Sequence, residues 1–289
     1  MPILTNEKFK LEIKQLGAEL CSFFSKDLNK ELLWQADKDV WARHAPVLFP
    51  IVGKLKNNTY SFKGKIYSLP QHGFARDCEF QLTTQNKNSL VFELKETEGS
   101  LKNYPFRFNL KINYELTSNG FSCKYMVTNP ATEPLYFSIG AHPGFNCPLF
   151  ENESFEDYCL EFKKDENIER YLIQDGLISD HREKIQLKSG KLALSSALFE
   201  RDAIVLKQIN SSSIKLSSNS YCLNFSWFNM PYYGIWTKPG TRRFICLEPW
   251  AGIADSVNAS GNLIEKEGII CLKEKEQYKC GFTVDIHPQ

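Results

Sequence analysis

Apolar and polar residues alternate along this chain with period two, and hardly anywhere do they recur at a helical spacing. Residues 8–13 read polar, apolar, polar, apolar, polar, apolar, as the two faces of a half-buried strand should. A turn at Gly17 leads into residues 19–24 and completes an opening hairpin. Residues 59–62 and 65–69 form two short strands about the Lys63-Gly64 turn. Similar segments follow at 80–82, 90–94, 106–116 and 121–127, the last two joined across Asn119-Gly120, a strong hairpin signal. The second half continues with 135–139, 158–162, 203–206, 213–216, 222–225, 233–236, 244–247, 269–272 and 278–286, separated by Gly, Pro, Asn and Ser clusters. Residues 34–41 are the most helix-like early piece, but Ala45-Pro46 and Phe49-Pro50 close it into a loop or short turn. No repeat period, low-complexity linker or shift in composition divides the chain. The expectation is one all-β domain over residues 1–289, a large antiparallel sandwich.

Three stretches carry candidate chemistry. The strand at 244–247 should end at Pro249, delivering Glu248 at its last position beside Trp250, Ala251 and Gly252. A carboxylate at the end of an apolar strand is placed where burial raises its pKa, which suits a general base. The alternative is that Glu248 caps a turn or pairs with Arg242 or Arg243. In Gly140-Ala141-His142-Pro143-Gly144 the imidazole stands at a strand exit with a fixed backbone direction. Histidine serves as acid or base near neutral pH, although a structural imidazole bonded to a carbonyl fits this position too. The third stretch, Pro70-Gln71-His72-Gly73-Phe74-Ala75-Arg76-Asp77, packs an amide, an imidazole and a guanidinium into six positions. Sugar hydroxyls need such a set of donors, unless Arg76 simply pairs with Asp77 or Glu79. No pair among His72, His142 and Glu248 has the short helical spacing of a zinc protease, so no metal is expected.

Composition narrows the partners. Lys and Arg number 35 against 34 Asp and Glu, and no charged run marks a nucleic-acid stripe or a membrane-binding face. A small, nearly neutral ligand is the expected partner. The nine cysteines are scattered with no Cys-x-x-Cys pair, and Met1-Pro2-Ile3 leads into a polar stretch, so the expected setting is a reducing cytoplasm with free thiols. No apolar run approaches the ~20 residues of a membrane span.

Taken together, Phe49-Pro50-Ile51-Val52-Gly53, Pro70-Gln71-His72-Gly73-Phe74-Ala75-Arg76, His142-Pro143-Gly144-Phe145-Asn146 and Leu247-Glu248-Pro249-Trp250 resemble the aldose 1-epimerase (galactose mutarotase) family. The wording is most similar to the branch linked to bacterial lactose-operon proteins, and the match runs from about Leu16 to the end of the chain. The resemblance implies a β-supersandwich, no metal or organic cofactor, and interconversion of the α and β anomers of a free aldose; a monomer or homodimer is the expected assembly. It assigns His142 as general acid and Glu248 as base, with Gln71, His72 and Arg76 binding substrate. By the same resemblance Asp202 holds sugar hydroxyls, and either Arg43 or Lys54 supplies the cation that the family places near Phe49. A sister group acts on hexose 6-phosphates, for which Arg43, Lys54 and Arg76 would form the phosphate pocket.

The chemistry agrees with that assignment. A base takes the proton from the C1 hydroxyl, an acid protonates the ring oxygen, and the aldehyde is re-attacked from its other face after rotation about C1–C2. Both pKa values are expected to rise, that of Glu248 by burial and that of His142 by a nearby carboxylate, with the two groups on opposite edges of a pyranose-sized hollow. Trp236 and Trp250 stack on the sugar or belong to the core. Two other readings are a sugar-binding protein with an idle catalytic set, and a glycoside hydrolase pairing Glu248 with Asp255 or Asp202.

Overall fold

The alternation written into the sequence becomes paired strands. In Asn109–Leu116, Leu110, Ile112, Tyr114 and Leu116 are buried, while the residues between them are half-buried. The structure is a computed structural model that describes residues 1–164, 167–207 and 209–288. Its largest sheet has nine strands, in the order Lys191–Ala193, Cys159–Phe162, Ser213–Ser217, Tyr221–Phe228, Gln277–Pro288, Gly120–Thr128, Asn109–Leu116, Ser89–Lys95 and Gln81–Gln85. A second sheet runs Leu177–Gln186, Asn167–Gln174, Ile204–Leu206, Tyr232–Trp236, Phe244–Ala251, Ile139–Ala141 and Val47–Leu48, with Gly144–Asn146 added beside Phe244–Ala251. The strand pairs within both sheets are antiparallel. A four-stranded sheet at the start of the chain holds the predicted opening hairpin, Phe9–Ile13 against Leu20–Ser25.

The two large sheets face each other across one continuous apolar cluster. Phe225 of the nine-stranded sheet meets Tyr233 and Phe145 of the other, with ring centroids 6.4 and 6.1 Å apart. All three side chains are fully buried. Burying a side chain of this size stabilises the fold by roughly 1.5–3 kcal/mol. Among the described residues there is one α-helix, Glu98–Asn103, begun by Thr97, whose side chain accepts the Ser100 N–H at 3.1 Å. Among the described residues no helix is long and apolar enough to cross a membrane.

Three elements depart from the sequence reading. The strand expected to stop at Pro249 runs on to Ala251, buried at all eight positions. Proline is tolerated there because of what lies beside it. The Leu247 N–H donates to the Pro143 carbonyl at 3.2 Å. By alternation, the nitrogen of Pro249 faces the same edge, where the neighbouring chain breaks between Ile139–Ala141 and Gly144–Asn146. The expected 135–139 strand is two strands, Leu135–Phe137 paired with Ile270–Leu272, and Ile139–Ala141 in the second large sheet. The third departure is a long hairpin, Asn167–Gln174 with Leu177–Gln186, that was not foreseen. Asp175 and Gly176 turn it with φ of 53° and 81°, the pair of positive values that a two-residue I′ turn requires.

Candidate active site

Period two along Phe244–Ala251 sets up the site. Ile245, Leu247 and Ala251 enter the main core, which leaves Phe244, Cys246, Glu248 and Trp250 on the other face. Phe244 and Cys246 are covered by Trp34, Trp41 and Trp236. Beyond them, Glu248 and Trp250 open onto a cavity of about 380 Å³, a volume suited to a monosaccharide. His142 enters from the break in the adjacent strand, with its Nε2 3.4 Å from Glu248 Oε2. The pair therefore sits together on one wall and not on opposite edges of the hollow. Neither Arg242 nor Arg243 touches Glu248; they pair with Glu156 at 3.2 Å and Asp37 at 2.6 Å.

His142 is held by aromatic rings. Trp41 stacks on it at 4.9 Å and 26°, and Trp236 meets it edge-on at 5.6 Å and 85°. Its Nδ1 is buried and makes no hydrogen bond. The loop carrying Trp41 is fixed where Trp34 Nε1 donates to the Trp41 carbonyl at 2.8 Å and the Trp34 N–H to that of Gly144 at 2.9 Å. Sequence reading left Trp41 in a featureless loop; two tryptophans in an irregular segment were the available signal.

The electrostatics correct one expectation. Burial pushes the His142 imidazole down to about 3, aided by the positive charge of Arg76 and opposed in part by its own backbone carbonyl. The expected rise from a nearby carboxylate is outweighed, because that carboxylate is itself buried. Glu248 is held well above its ordinary 4.5, first by burial, with the Asp202 charge adding to it. The Trp250 indole N–H beside it offsets part of that rise without itself making a formed hydrogen bond. Both shifts favour neutral forms, so a single proton shared by the contact rests on the carboxyl.

The 70–77 loop supplies the polar rim. His72 adopts φ of 67° and is tied at both ends, its N–H donating to the Gly53 carbonyl at 2.8 Å and its Nδ1 accepting the Gly53 N–H at 3.1 Å. That bond places the proton of the neutral ring on Nε2, 3.3 Å from the Gln71 amide nitrogen, so two donors stand side by side there. Burial first, then His142 and Arg76, keep His72 well below 6.5. Its ring stands 5.7 Å from that of His142. Arg76 donates from Nη2 to the Gln71 carbonyl at 2.8 Å, and its buried Nε has no partner. The nearest carboxylate oxygen, on Asp77, is 3.8 Å away. Gln71, His72, Arg76 and Asp202 all line the cavity, Asp202 with Oδ1 accepting the Ala203 N–H at 2.8 Å.

Two expected cations do not reach it. Arg43 is drawn to Asp77 at 2.6 Å, outside the cavity, because that carboxylate is the nearest opposite charge. Lys54 reaches across to the hairpin turn, donating to the Asp175 carbonyl at 2.9 Å. Asp255 likewise is no partner for Glu248: it binds Lys266 at 2.8 Å and accepts the Lys56 N–H at 2.9 Å. The lining also includes Ile173 and Ile178, packed in one apolar cluster with Trp250, which the unforeseen hairpin brings in; Asp175-Gly176 was the signal that would have found them. His142, Cys246 and Glu248 have their ligating atoms within 4.8 Å of one another, and burial, with the Glu248 charge adding to it, holds the Cys246 thiol well above its ordinary pKa.

A family model described as aldose 1-epimerase matches residues 3–280. The chain belongs to the aldose 1-epimerase family. It is 37% identical to the plasmid and chromosomal forms of Protein LacX from Lactococcus lactis subsp. lactis over 273 residues, 91% of each chain. Among solved structures, a galactose mutarotase related enzyme from Lactobacillus acidophilus superposes with a TM-score of 0.94 at 36% identity, covering 99% of this chain and 97% of the other. A galactose mutarotase-like protein from Lactobacillus casei gives 0.92 at 30% identity, covering 99% and 100%. This aldose 1-epimerase family member therefore has the galactose mutarotase-like all-β fold, and its likeness supports an epimerase or mutarotase role in general terms.

Proposed function

We propose that the protein interconverts the α and β anomers of an aldose by acid–base ring opening, with Glu248 as base and His142 as acid. The observation that carries this reading is the 3.4 Å contact of their side chains on the wall of a sugar-sized cavity rimmed by Gln71, His72, Arg76 and Asp202. The hydroxyl and ring oxygens of an anomeric carbon are bonded to the same atom, so one such carbon fits across this contact. In the active tautomer the proton lies on His142 and Glu248 is ionised. Glu248 takes the O1 proton, the C1–O5 bond breaks with its electrons going to O5, and O5 takes the proton from His142. The aldehyde is then flanked by a neutral carboxyl and a neutral imidazole, the arrangement that burial favours. Opening thus converts the ion pair back into a neutral pair in a low-dielectric wall, which returns the cost of forming the active tautomer. Rotation about C1–C2 and reversal of the transfers close the other anomer.

The test is anomer exchange of freshly dissolved glucose, galactose and xylose, followed by polarimetry or NMR. Acceleration over buffer that Glu248→Gln or His142→Asn removes, each by about 10²–10⁴, is the expected result. Sugar binding by calorimetry without acceleration would instead identify an idle sugar-binding relative. A second reading, a 6-phosphorylated aldose, is favoured by the unpartnered Nε of Arg76, and including the 6-phosphates in the panel decides it.

A further inference from the structure

Trp250 has no role in the scheme so far, yet the structure constrains it tightly. Its ring lies flat across the sheet, and the two flanking strands carry glycine beneath it. A Cβ on Gly140 would stand 2.7 Å from Trp250 Cδ1. One on Gly234 would stand 2.3 Å from Cζ2, 2.4 Å from Cη2 and 3.2 Å from Cε2. The ring edge from Cδ1 through Nε1 to Cζ2 therefore runs across the strand from Gly140 toward Gly234. Gly234 is the residue paired directly opposite Glu248. Glu248 and Trp250 are two apart on one strand, so they share a face, and both line the cavity. Trp250 is 7% exposed, and its indole N–H is buried without a hydrogen-bond partner. A buried donor left unmatched costs about 1–3 kcal/mol, so a pinned, unsatisfied N–H beside an ionisable carboxyl calls for a state in which it is satisfied.

We propose that Trp250 is a positioning residue for the anomerisation, its indole N–H being the donor that holds the ionised Glu248 carboxylate while that side chain acts as base. The inference rests on the acid–base reading above. In the resting pair the proton sits on the carboxyl and the N–H is unmatched. When the proton passes to His142, the carboxylate gains a charge and accepts from the indole, which raises the share of the active tautomer. The same interaction opposes the effect of burial on Glu248.

The experiment replaces Trp250 with benzothienylalanine, which keeps the bicyclic shape and exchanges N–H for sulfur, and separately with Phe. Two quantities are read: the infrared titration of the Glu248 carboxyl, assigned through Glu248→Gln, and the pH dependence of kcat and KM. Loss of the donor is expected to move the carboxyl titration and the alkaline limb of kcat to higher pH. It should also lower kcat by about 10- to 100-fold with KM unchanged, the range of a hydrogen bond to a charged group. An unmoved titration overturns the proposal, and a raised KM with an unmoved titration assigns the N–H to the sugar instead. The infrared readout needs no turnover. If no sugar is anomerised by the wild type and the titration still moves, the acid–base reading fails while the indole–carboxylate link stands.

Discussion

The proton count of the His142–Glu248 pair leaves a signature in stability. The perturbation is the double substitution His142→Asn/Glu248→Gln, which removes both titrations and keeps similar shapes. The imidazole moves from its ordinary 6.5 to about 3 on folding, and the carboxyl moves well up from 4.5. The contribution of His142 is complete above pH 6.5 and is lost as pH falls toward 3. That of Glu248 is complete below pH 4.5 and is lost as pH rises toward its folded value. Between 4.5 and 6.5 the two slopes oppose each other, because the unfolded chain carries its proton on the imidazole and the folded protein carries it on the carboxyl. Above 6.5 the unfolded chain carries none, and stability falls as pH rises toward the folded value of Glu248. Below 4.5 the unfolded chain carries two, and stability falls as pH drops, about 2 kcal/mol by pH 3. The assay is urea unfolding of wild type and double variant from about pH 3 to about pH 8, reading the difference between them. A plateau with two falling flanks is expected. A difference that stays level above pH 6.5 would mean that the folded pair holds no proton at neutrality, leaving the proposed exchange nothing to exchange.

Other perturbations follow from particular contacts. Gly234→Ala drives a methyl into the Trp250 ring, and should cost about 1–3 kcal/mol in urea unfolding while lowering the anomerisation rate; full stability and rate would mean that the indole is not pinned there. Lys266→Met leaves the buried Asp255 carboxylate without its 2.8 Å partner, an expected loss of about 3–5 kcal/mol that Asp255→Asn in the same chain should largely restore. Arg76→Gln should raise KM for sugar about tenfold or more, whereas Arg43→Gln, acting on a rim pair with Asp77, should leave KM unchanged and stability within about 1 kcal/mol. Equal effects of the two arginine changes would contradict the placement of the cavity.

Period-two alternation carried the strand content, and the spacing around His142 and Glu248 carried the catalytic candidates, because both depend on local chain geometry. What escaped depends on partners distant in sequence. Pro249 looked like a terminator; whether its missing N–H matters is decided by a break in the neighbouring strand. Arg43 looked free for substrate until Asp77, 34 positions away, proved to hold it. The expected rise in the His142 pKa assumed a solvated carboxylate beside it, and the depth of burial of both groups is a property of the packed sheets. The Asp175-Gly176 turn was legible, but the alternation around it is broken by charged residues on both strands of the hairpin.

The strand that presents Glu248 and Trp250 on one side fills the centre of the sandwich on the other with Ile245 and Leu247. The contact of Glu248 with His142 is therefore tied to the core. Fraying that strand enough to misplace the carboxylate would also empty the middle of the molecule, so amide protons of Ile245 and Leu247 should be among the last to exchange with solvent, and heat should end catalysis and folding at the same temperature.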